Sequence, residues 1–269
     1  MNREVVCARL LGLMDDLELS RQGSPRDLLR AALSIEHVAM CDLLSPEEEE
    51  AIIADPGIAA KLASCQSVFS GLETAIERSM AEVVRLGGAG MIWAQDNVSQ
   101  HYIARYEYLA RREIELAGIR PDDKALFIGS GPLPITAFEY VRQCGCTVDC
   151  LDFVPEAIEC SRRITERLGL TDRVRCFQTR GEMHDPSQYD VILVGVLALP
   201  KQAIMNHLDA GVKRDCRVMC RTTYGLRQLI YQHASYDGRE LRRLAPGDRS
   251  VARGERVISA ELLTVSDTN

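Results

Sequence analysis

The chain has 269 residues, and its 32 lysines and arginines against 39 aspartates and glutamates give a formal net charge of -7. This length predicts about two domains, and the negative charge without a long basic segment argues against nucleic acid as a partner. Acidic residues interrupt the apolar pattern near the N-terminus, which predicts neither a signal peptide nor a membrane span, so we expect a cytoplasmic protein without membrane contact.

From about Leu10 to Gly118, apolar residues recur with the spacing of amphipathic helices. Ser45, Pro46 and Glu48 predict a helix start, with Ser45 as N-cap, Pro46 in the first turn and Glu48 completing a capping box. We predict that residues 1–119 form an all-helical domain, and we expect this domain to cover the active site.

Beyond Lys124, short apolar runs alternate with helical spacing, which is typical of βαβ units and a parallel sheet. The predicted strands are Ala125–Ile128, Thr147–Asp152, Arg173–Phe177, Asp190–Val196, Cys216–Arg221 and Arg256–Val265. The predicted helices lie near Leu133–Gln143, Pro155–Leu168 and Lys201–Ala210. We therefore predict an α/β domain with a Rossmann-like parallel sheet over residues 120–269. The Gly-rich and charged segment Ser235–Arg253 predicts a surface loop.

The segment Lys124–Asp152 carries the strongest functional signal. Gly129 and Gly131 follow an apolar strand and permit a tight turn with close approach of the backbone to a ligand. Asp152 ends the next strand, at the distance expected for a carboxylate that accepts hydrogen bonds from a ribose. The alternative role for Asp152 is to cap the helix that starts at Pro155.

Three residues after this turn decide which cofactor is predicted. Pro132 and Pro134 have no N–H to donate to a pyrophosphate, and Leu133 places a bulky side chain where a dinucleotide would need close approach. S-adenosylmethionine needs no phosphate cradle and is therefore favoured over NAD. The predicted cofactor contacts are Gly129, Ser130, Gly131, Pro132, Leu133, Asp152, Phe153, Gln178, Thr179 and Val194.

Seven of the ten cysteines lack the paired spacing of metal sites, whereas Cys144, Cys146 and Cys150 form a cluster that suggests zinc as an alternative. Cys146 and Cys150 alternate with Val148 along a predicted strand, so they share one face of the sheet. Buried small side chains are the favoured interpretation, and we predict no metal site.

Four segments resemble the nicotianamine synthase family in the same order, namely FIGSGPLPIT, CLDFVPEAIECSRR, YDVILVGVLALPK and CRTTYGLRQLIY. The resemblance runs from about Tyr102 to Tyr231 and is similar to the bacterial branch that builds opine-type metallophores. It implies a sheet of the class I methyltransferase type and transfer of the aminobutyrate arm of S-adenosylmethionine to an amine, with release of methylthioadenosine. It further implies histidine as the acceptor and a downstream opine dehydrogenase as partner. A homodimer is one possible assembly, and the sequence leaves the oligomeric state open.

The resemblance also implies the residues that act on the amine. The pair Arg105 and Tyr106 resembles an Arg-Tyr pair of the family, which makes Tyr106 the first candidate for positioning the amine. Glu77 lies in the helix where a family glutamate binds the amine, and Glu73, one turn earlier, is the rival.

Three further residues are predicted to bind substrate: Arg221, Tyr224 and His101. Arg221 could hold a substrate carboxylate in bidentate fashion, and a structural salt bridge is its alternative.

Two other functions stay open at this point, a methyltransferase that uses S-adenosylmethionine and a non-catalytic sensor that binds it.

Overall fold

The computed structural model describes residues 2–87, 97–234 and 236–266, with the side chains of residues 84–87 and 97–101 outside the description. Helical spacing in the first half of the chain is confirmed, because the described residues before the first strand contain five helices: α1 (Arg3–Ser20), α2 (Pro25–Ala39), α3 (Pro46–Ile53), α4 (Pro56–Gly87) and α5 (Asn97–Ala117). The predicted capping box is present, since Ser45 Oγ accepts from Glu48 N–H at 3.3 Å and Glu48 Oε2 accepts from Ser45 N–H at 2.9 Å.

Seven strands form one sheet in the order β3-β2-β1-β4-β5-β7-β6. They are β1 (Lys124–Ile128), β2 (Thr147–Asp152), β3 (Val174–Gln178), β4 (Val191–Val194), β5 (Arg217–Thr222), β6 (Leu244–Ser250) and β7 (Ser259–Val265). Helices α6 (Ile135–Cys144), α7 (Pro155–Arg167) and α8 (Lys201–Gly211) separate the first strands. The pairs among β1 to β5 are parallel, which confirms the predicted Rossmann-like sheet. All four residues of β4 are buried, as expected for a strand covered on both faces.

The predicted loop Ser235–Arg253 is wrong in its second half, because residues Leu244–Ser250 form β6, which pairs antiparallel with β7. The register shifts between Pro246 and Arg249. β6 is the edge strand of the sheet, where proline, charge and irregular pairing are tolerated and protect the edge. Such a strand lacks the apolar alternation that sequence analysis relies on.

The chain divides into two compact units. The first contains Met1–Glu73, Thr222–His233 and Val251–Ser259, and the second contains Thr74–Arg221, Ala234–Ser250 and Ala260–Asn269. The predicted boundary at residues 119 and 120 therefore falls inside the second unit, because α5 packs against α6 and shares a buried ion pair with β5. Within the described residues, no helix is long and apolar enough to cross a membrane.

Candidate active site

The carboxyl ends of the central strands meet at one edge of the sheet. Ile128, the last residue of β1, pairs with Leu151 of β2 and with Val194 at the end of β4. Asp152, at the end of β2, pairs with Gln178 at the end of β3. β2 lies on one side of β1 and β4 lies on the other side, so the strand order changes direction at β1. Ligands of open α/β sheets bind at such a switch point. The sheet thus brings the predicted cofactor residues to one place.

The turn after β1 requires its two glycines. Gly129 and Gly131 have φ values of 75° and 69°, a left-handed region that other residues rarely adopt. A Cβ atom added to Gly129 would lie 2.8 Å from Ala198 Cβ. The turn also bonds to the neighbouring strand, because Gly129 N–H donates to Leu151 O at 2.8 Å. The left-handed backbone and the packing against Ala198 therefore both require glycine in this turn.

Asp152 connects the glycine turn to the chain that enters α7. Its Oδ2 accepts from Gly131 N–H at 3.0 Å, and its Oδ1 accepts from Val154 N–H at 2.9 Å. The second bond closes a turn ahead of α7, whose N-cap is Val154 without a side-chain cap bond, so Asp152 does not cap the helix that starts at Pro155. A carboxylate offers about four lone-pair positions, so two backbone bonds leave acceptor capacity for ribose hydroxyls.

Large apolar side chains remain exposed in the loops that follow β2, β3 and β4. Phe153 follows β2 and is 58% exposed, and Met183 ends a short 3-10 turn after β3 and is 73% exposed. Leu197 and Leu199 follow β4 with 40% and 56% of their surfaces exposed. Exposed apolar side chains beside a few polar groups are typical of ligand sites. These loops fit a nucleoside whose adenine needs apolar contacts, and the glycine turn with Asp152 fits its ribose.

Glu77 lies over the glycine turn. Its Oε1 accepts from the Tyr102 hydroxyl at 3.1 Å. A Cβ atom added to Gly131 would lie 2.7 Å from Glu77 Oε2, so this oxygen is next to the turn. The half-buried carboxylate can therefore receive an ammonium group at the crevice. Its rival Glu73 is buried and belongs to the first unit.

The rings of Tyr102 and Tyr106 on α5 are in contact and tilted relative to each other. Their ring centroids are 5.0 Å apart, with an interplanar angle of 47°. The Arg105 guanidinium carbon lies 5.6 Å from the first ring centroid and 5.9 Å from the second. Because Tyr102 also bonds Glu77, this pair links the predicted amine-positioning residues within the second unit.

The structure shows the salt bridge that was the alternative for Arg221. Arg221 Nε donates to Glu113 Oε1 at 2.7 Å, and its NH2 group donates to Glu113 Oε2 at 3.0 Å. The same NH2 group donates to Thr136 Oγ1 at 2.8 Å. Burial alone would lower the pKa of Arg221, but the Glu113 carboxylate outweighs this effect and raises it above its usual value. Arg221 is therefore buried and bonded within the second unit, and its contact with a substrate carboxylate stays a prediction.

The remaining predicted residues differ in what they can contribute. Gln178 is exposed and Thr179 half-buried at the end of β3, as suits ligand contacts. Val194 is fully buried, so only its backbone can reach a ligand.

Tyr224 belongs to the first unit, where its ring centroid lies 5.3 Å from that of His233, and its substrate role stays a prediction. The side chain of His101 lies outside the described residues. Ser130, Pro132 and Leu133 are buried in the turn.

Sequence analysis missed Met183, Leu199 and Glu113, whereas it placed Val194 to Leu197 at the crevice. Met183 and Leu199 could have been found from their positions just after strands, because loops at the carboxyl ends of parallel strands form ligand sites. Glu113 gave no usable signal, since a glutamate in an amphipathic helix is typically solvent-exposed. Across residues 2–87, 97–234 and 236–266, no three His, Cys, Asp or Glu residues are grouped as a metal site.

The sequence family described as nicotianamine synthase protein matches residues 64–251, well over half of the chain. The chain belongs to the nicotianamine synthase family. This membership confirms the resemblance stated from the four sequence segments.

Curated relatives match part of this nicotianamine synthase family chain. L-histidine 2-aminobutanoyltransferase of Yersinia pestis is 34% identical over 129 residues, which are 48% of each chain. The protein of the same name from Pseudomonas aeruginosa strain PAO1 is 31% identical over 121 residues, covering 45% of this chain and 46% of the relative. The chain thus spans about half the length of the curated relatives it matches.

Solved structures of the nicotianamine synthase MtNAS share the fold. MtNAS in complex with MTA and tNA aligns with a TM-score of 0.86 and 23% identity, covering 96% of this chain and 97% of MtNAS. A Glu-to-Gln mutant of MtNAS in complex with S-adenosylmethionine aligns with a TM-score of 0.84 and 22% identity, covering 95% and 97%. At 22% and 23% sequence identity, this structural similarity confirms the fold alone.

Proposed function

We propose that this nicotianamine synthase family member transfers the 3-amino-3-carboxypropyl group of S-adenosylmethionine to an amino-acid amine and releases methylthioadenosine. The observation that carries the proposal is the Glu77 carboxylate beside the Gly131 turn, at the switch point of the sheet. An acid at this position suits an amine acceptor, because it attracts the ammonium form and can take its proton. Both curated relatives are named as aminobutanoyltransferases, which supports the same reaction type.

The proposed chemistry divides between the co-substrate and the protein. S-adenosylmethionine supplies a sulfonium that activates the first carbon of its amino-acid arm toward an amine, with the thioether as leaving group. The chain holds the nucleoside through the glycine turn, Asp152 and the apolar loops after the strands. Glu77 orients the acceptor amine, and Tyr102 fixes the Glu77 carboxylate through its hydroxyl. Placing the amine in line with one carbon is the main catalytic contribution of the protein.

Histidine is the proposed acceptor, in agreement with the names of the curated relatives. The product would then be a histidine that carries an aminobutyrate arm, and a separate opine dehydrogenase would complete an opine-type metallophore. All ten cysteines are free thiols, which suits the reducing cytoplasm proposed as the location. A homodimer remains part of the proposal and is tested by sedimentation velocity. We further propose that the reaction needs no metal ion.

The identity of the released nucleoside tests the reaction. Purified protein is incubated with S-adenosylmethionine and, in separate samples, with each enantiomer of several amino acids, including histidine. In the samples with histidine, we expect one molecule of methylthioadenosine to be released for each histidine consumed. S-adenosylhomocysteine would instead identify a methyltransferase, and binding without any released nucleoside would identify a sensor. Either result contradicts the proposal.

Replacing Asp152 with alanine is expected to weaken binding of methylthioadenosine by about tenfold or more, because each lost bond to a carboxylate is worth about 1.5–3 kcal/mol. Asp152 accepts two such bonds, which hold the turns at Gly131 and Val154, and the ribose would also lose its acceptor. Isothermal titration calorimetry measures the affinity. Glu156→Ala is the matched control, since Glu156 is an exposed acid in the first turn of α7. Equal affinities of the two variants would remove Asp152 from the binding site.

A further inference from the structure

Lys201 is a buried lysine that the proposed reaction does not use. It is the first residue of α8 and only 3% exposed. Its ammonium donates to the backbone carbonyl of Gly195 and, at 3.3 Å, to that of Val196. Within the described part of the chain, no carboxylate lies within ion-pair distance of this ammonium. A buried charge without an opposite charge is costly, which calls for a functional explanation.

The two carbonyls belong to the turn that follows β4. The ladder to the neighbouring strands ends at Val194, so the carbonyls beyond it need other donors. Gly195 O also accepts from Ala198 N–H at 3.1 Å, which closes the turn. Lys201 therefore supplies the charge-assisted donor that fixes this turn, hereafter the β4 turn (residues 195–199).

The β4 turn lies directly against the glycine turn. A Cβ atom added to Gly195 would lie 2.9 Å from Gly129 O, and one added to Gly129 would lie 2.8 Å from Ala198 Cβ. The two turns are in contact with no room for a side-chain atom between them. A shift of the β4 turn must consequently move the glycine turn or open a gap beside it, and would also move the exposed Leu197 and Leu199.

We propose that Lys201 is a positioning residue, whose ammonium holds the β4 turn against the glycine turn and so sets the shape of the nucleoside site. This inference rests on the proposed function for the identity of the ligand.

The protonation state of Lys201 makes the inference testable. The pKa of Lys201 is lowered to about 8, mainly by burial; Cys220 opposes this shift, and the positive charge of Arg221 contributes to it. Cys220 and Arg221 of β5 are the titratable groups that act on Lys201, and neither changes charge near this pH, because the pKa of Cys220 is raised to about 11 and that of Arg221 lies higher still. Lys201 therefore loses its charge near pH 8 in the folded protein.

The pH dependence of ligand affinity and that of the free energy of unfolding have opposite signs, which separates a positioning role from general unfolding. The folded pKa lies below the value of about 10.4 for an unperturbed lysine, so between these values the unfolded chain binds more protons. The contribution of Lys201 to the free energy of unfolding accordingly rises with pH in this range. Ligand affinity is expected to fall over the same range, because the neutral amine is a weaker donor to the two carbonyls.

The experiment measures binding of methylthioadenosine between pH 6.5 and about 9.5, since this nucleoside has no group that titrates there. Wild-type affinity is expected to fall about five- to tenfold with a midpoint near pH 8, a loss in line with the weaker hydrogen bonds of an uncharged donor. Lys201→Met is expected to bind as weakly at neutral pH as the wild type does at alkaline pH, with a flat profile. Lys213→Met is the matched control, because Lys213 pairs with Asp190 before β4, away from the site, and should keep the wild-type profile.

Hydrogen exchange in the free protein provides a second measurement that needs neither ligand nor variant. After correction for the intrinsic pH dependence, protection of the Ala198 amide is expected to fall as Lys201 deprotonates. A flat wild-type binding profile together with unchanged Ala198 protection would overturn the inference. Failure of the wild type to bind methylthioadenosine at any pH would contradict the proposed function instead, and the exchange measurement would still decide the role of Lys201.

Discussion

Replacing Glu113 with alanine is expected to lower the free energy of unfolding by about 3–5 kcal/mol, because it leaves the buried Arg221 guanidinium without an opposite charge. The Tyr140 hydroxyl, which donates to Glu113 Oε2 at 2.9 Å, would lose its acceptor as well. Thermal unfolding followed by circular dichroism should show a decrease of about 10 °C in the midpoint. Few single changes in this chain should destabilise it more.

The matched control lies on the same helix. Glu107 pairs with Arg142 at 2.7 Å, but both side chains are substantially exposed, so Glu107→Ala is expected to change the free energy of unfolding by less than about 1 kcal/mol. A double replacement, Glu113→Leu with Arg221→Met, should recover much of the loss, because an apolar pair of similar volume removes the unpaired charge. If Glu113→Ala were no less stable than Glu107→Ala, the buried pair would not be the element that joins α5 to β5.

The same buried pair lies beneath a predicted catalytic residue. The Arg221 guanidinium carbon lies 5.8 Å from the Tyr106 ring centroid and 5.4 Å from that of Phe127. Tyr106 therefore rests on a cation that Glu113 holds in place, and this contact orients the ring. The pKa of Tyr140 is raised well above its usual value by burial and by Glu113, so Tyr140 stays a neutral donor at every physiological pH.

The central sheet could be predicted from sequence because its signals are local. β4 and, after Lys124, β1 are continuous apolar runs, β2 contains Val148, Cys150 and Leu151, and a glycine turn or an acid marks where β1 and β2 end. β6 could not be predicted, since Pro246 and Gly247 within a charged segment resemble a loop, and only its pairing with β7 makes it a strand. Pairing is a long-range property that a short window of sequence does not contain.

The candidate site divides in the same way. The glycine turn and Asp152 were predictable, because their order and spacing along the chain determine their meeting at the sheet edge. The partnership of Arg221 with Glu113 spans 108 positions and was not predicted beyond a structural salt bridge as an alternative. Lys201 resembled an ordinary lysine at a helix start, and only the structure shows that it is buried beside the β4 turn.

Replacing Glu77 with glutamine is expected to lower the rate of aminobutyrate transfer by about 10²–10⁴-fold, the usual range for losing a group that transfers a proton. The affinity for methylthioadenosine should stay within about threefold, because glutamine can still accept the Tyr102 hydrogen bond and the nucleoside contacts lie elsewhere. Single-turnover release of methylthioadenosine measures the rate, and calorimetry measures the affinity.

Two further replacements on α4 make the Glu77 result specific. Glu82→Gln, at an exposed position of the same helix, is expected to keep the wild-type rate. Glu73→Gln tests the rival one turn earlier, and its thermal midpoint is recorded because Glu73 is buried. A large loss of rate in Glu73→Gln together with a normal rate in Glu77→Gln would move the amine-binding role to Glu73. If Glu77→Gln lost nucleoside affinity as strongly as rate, Glu77 would shape the nucleoside site through Gly131 and would not act on the amine.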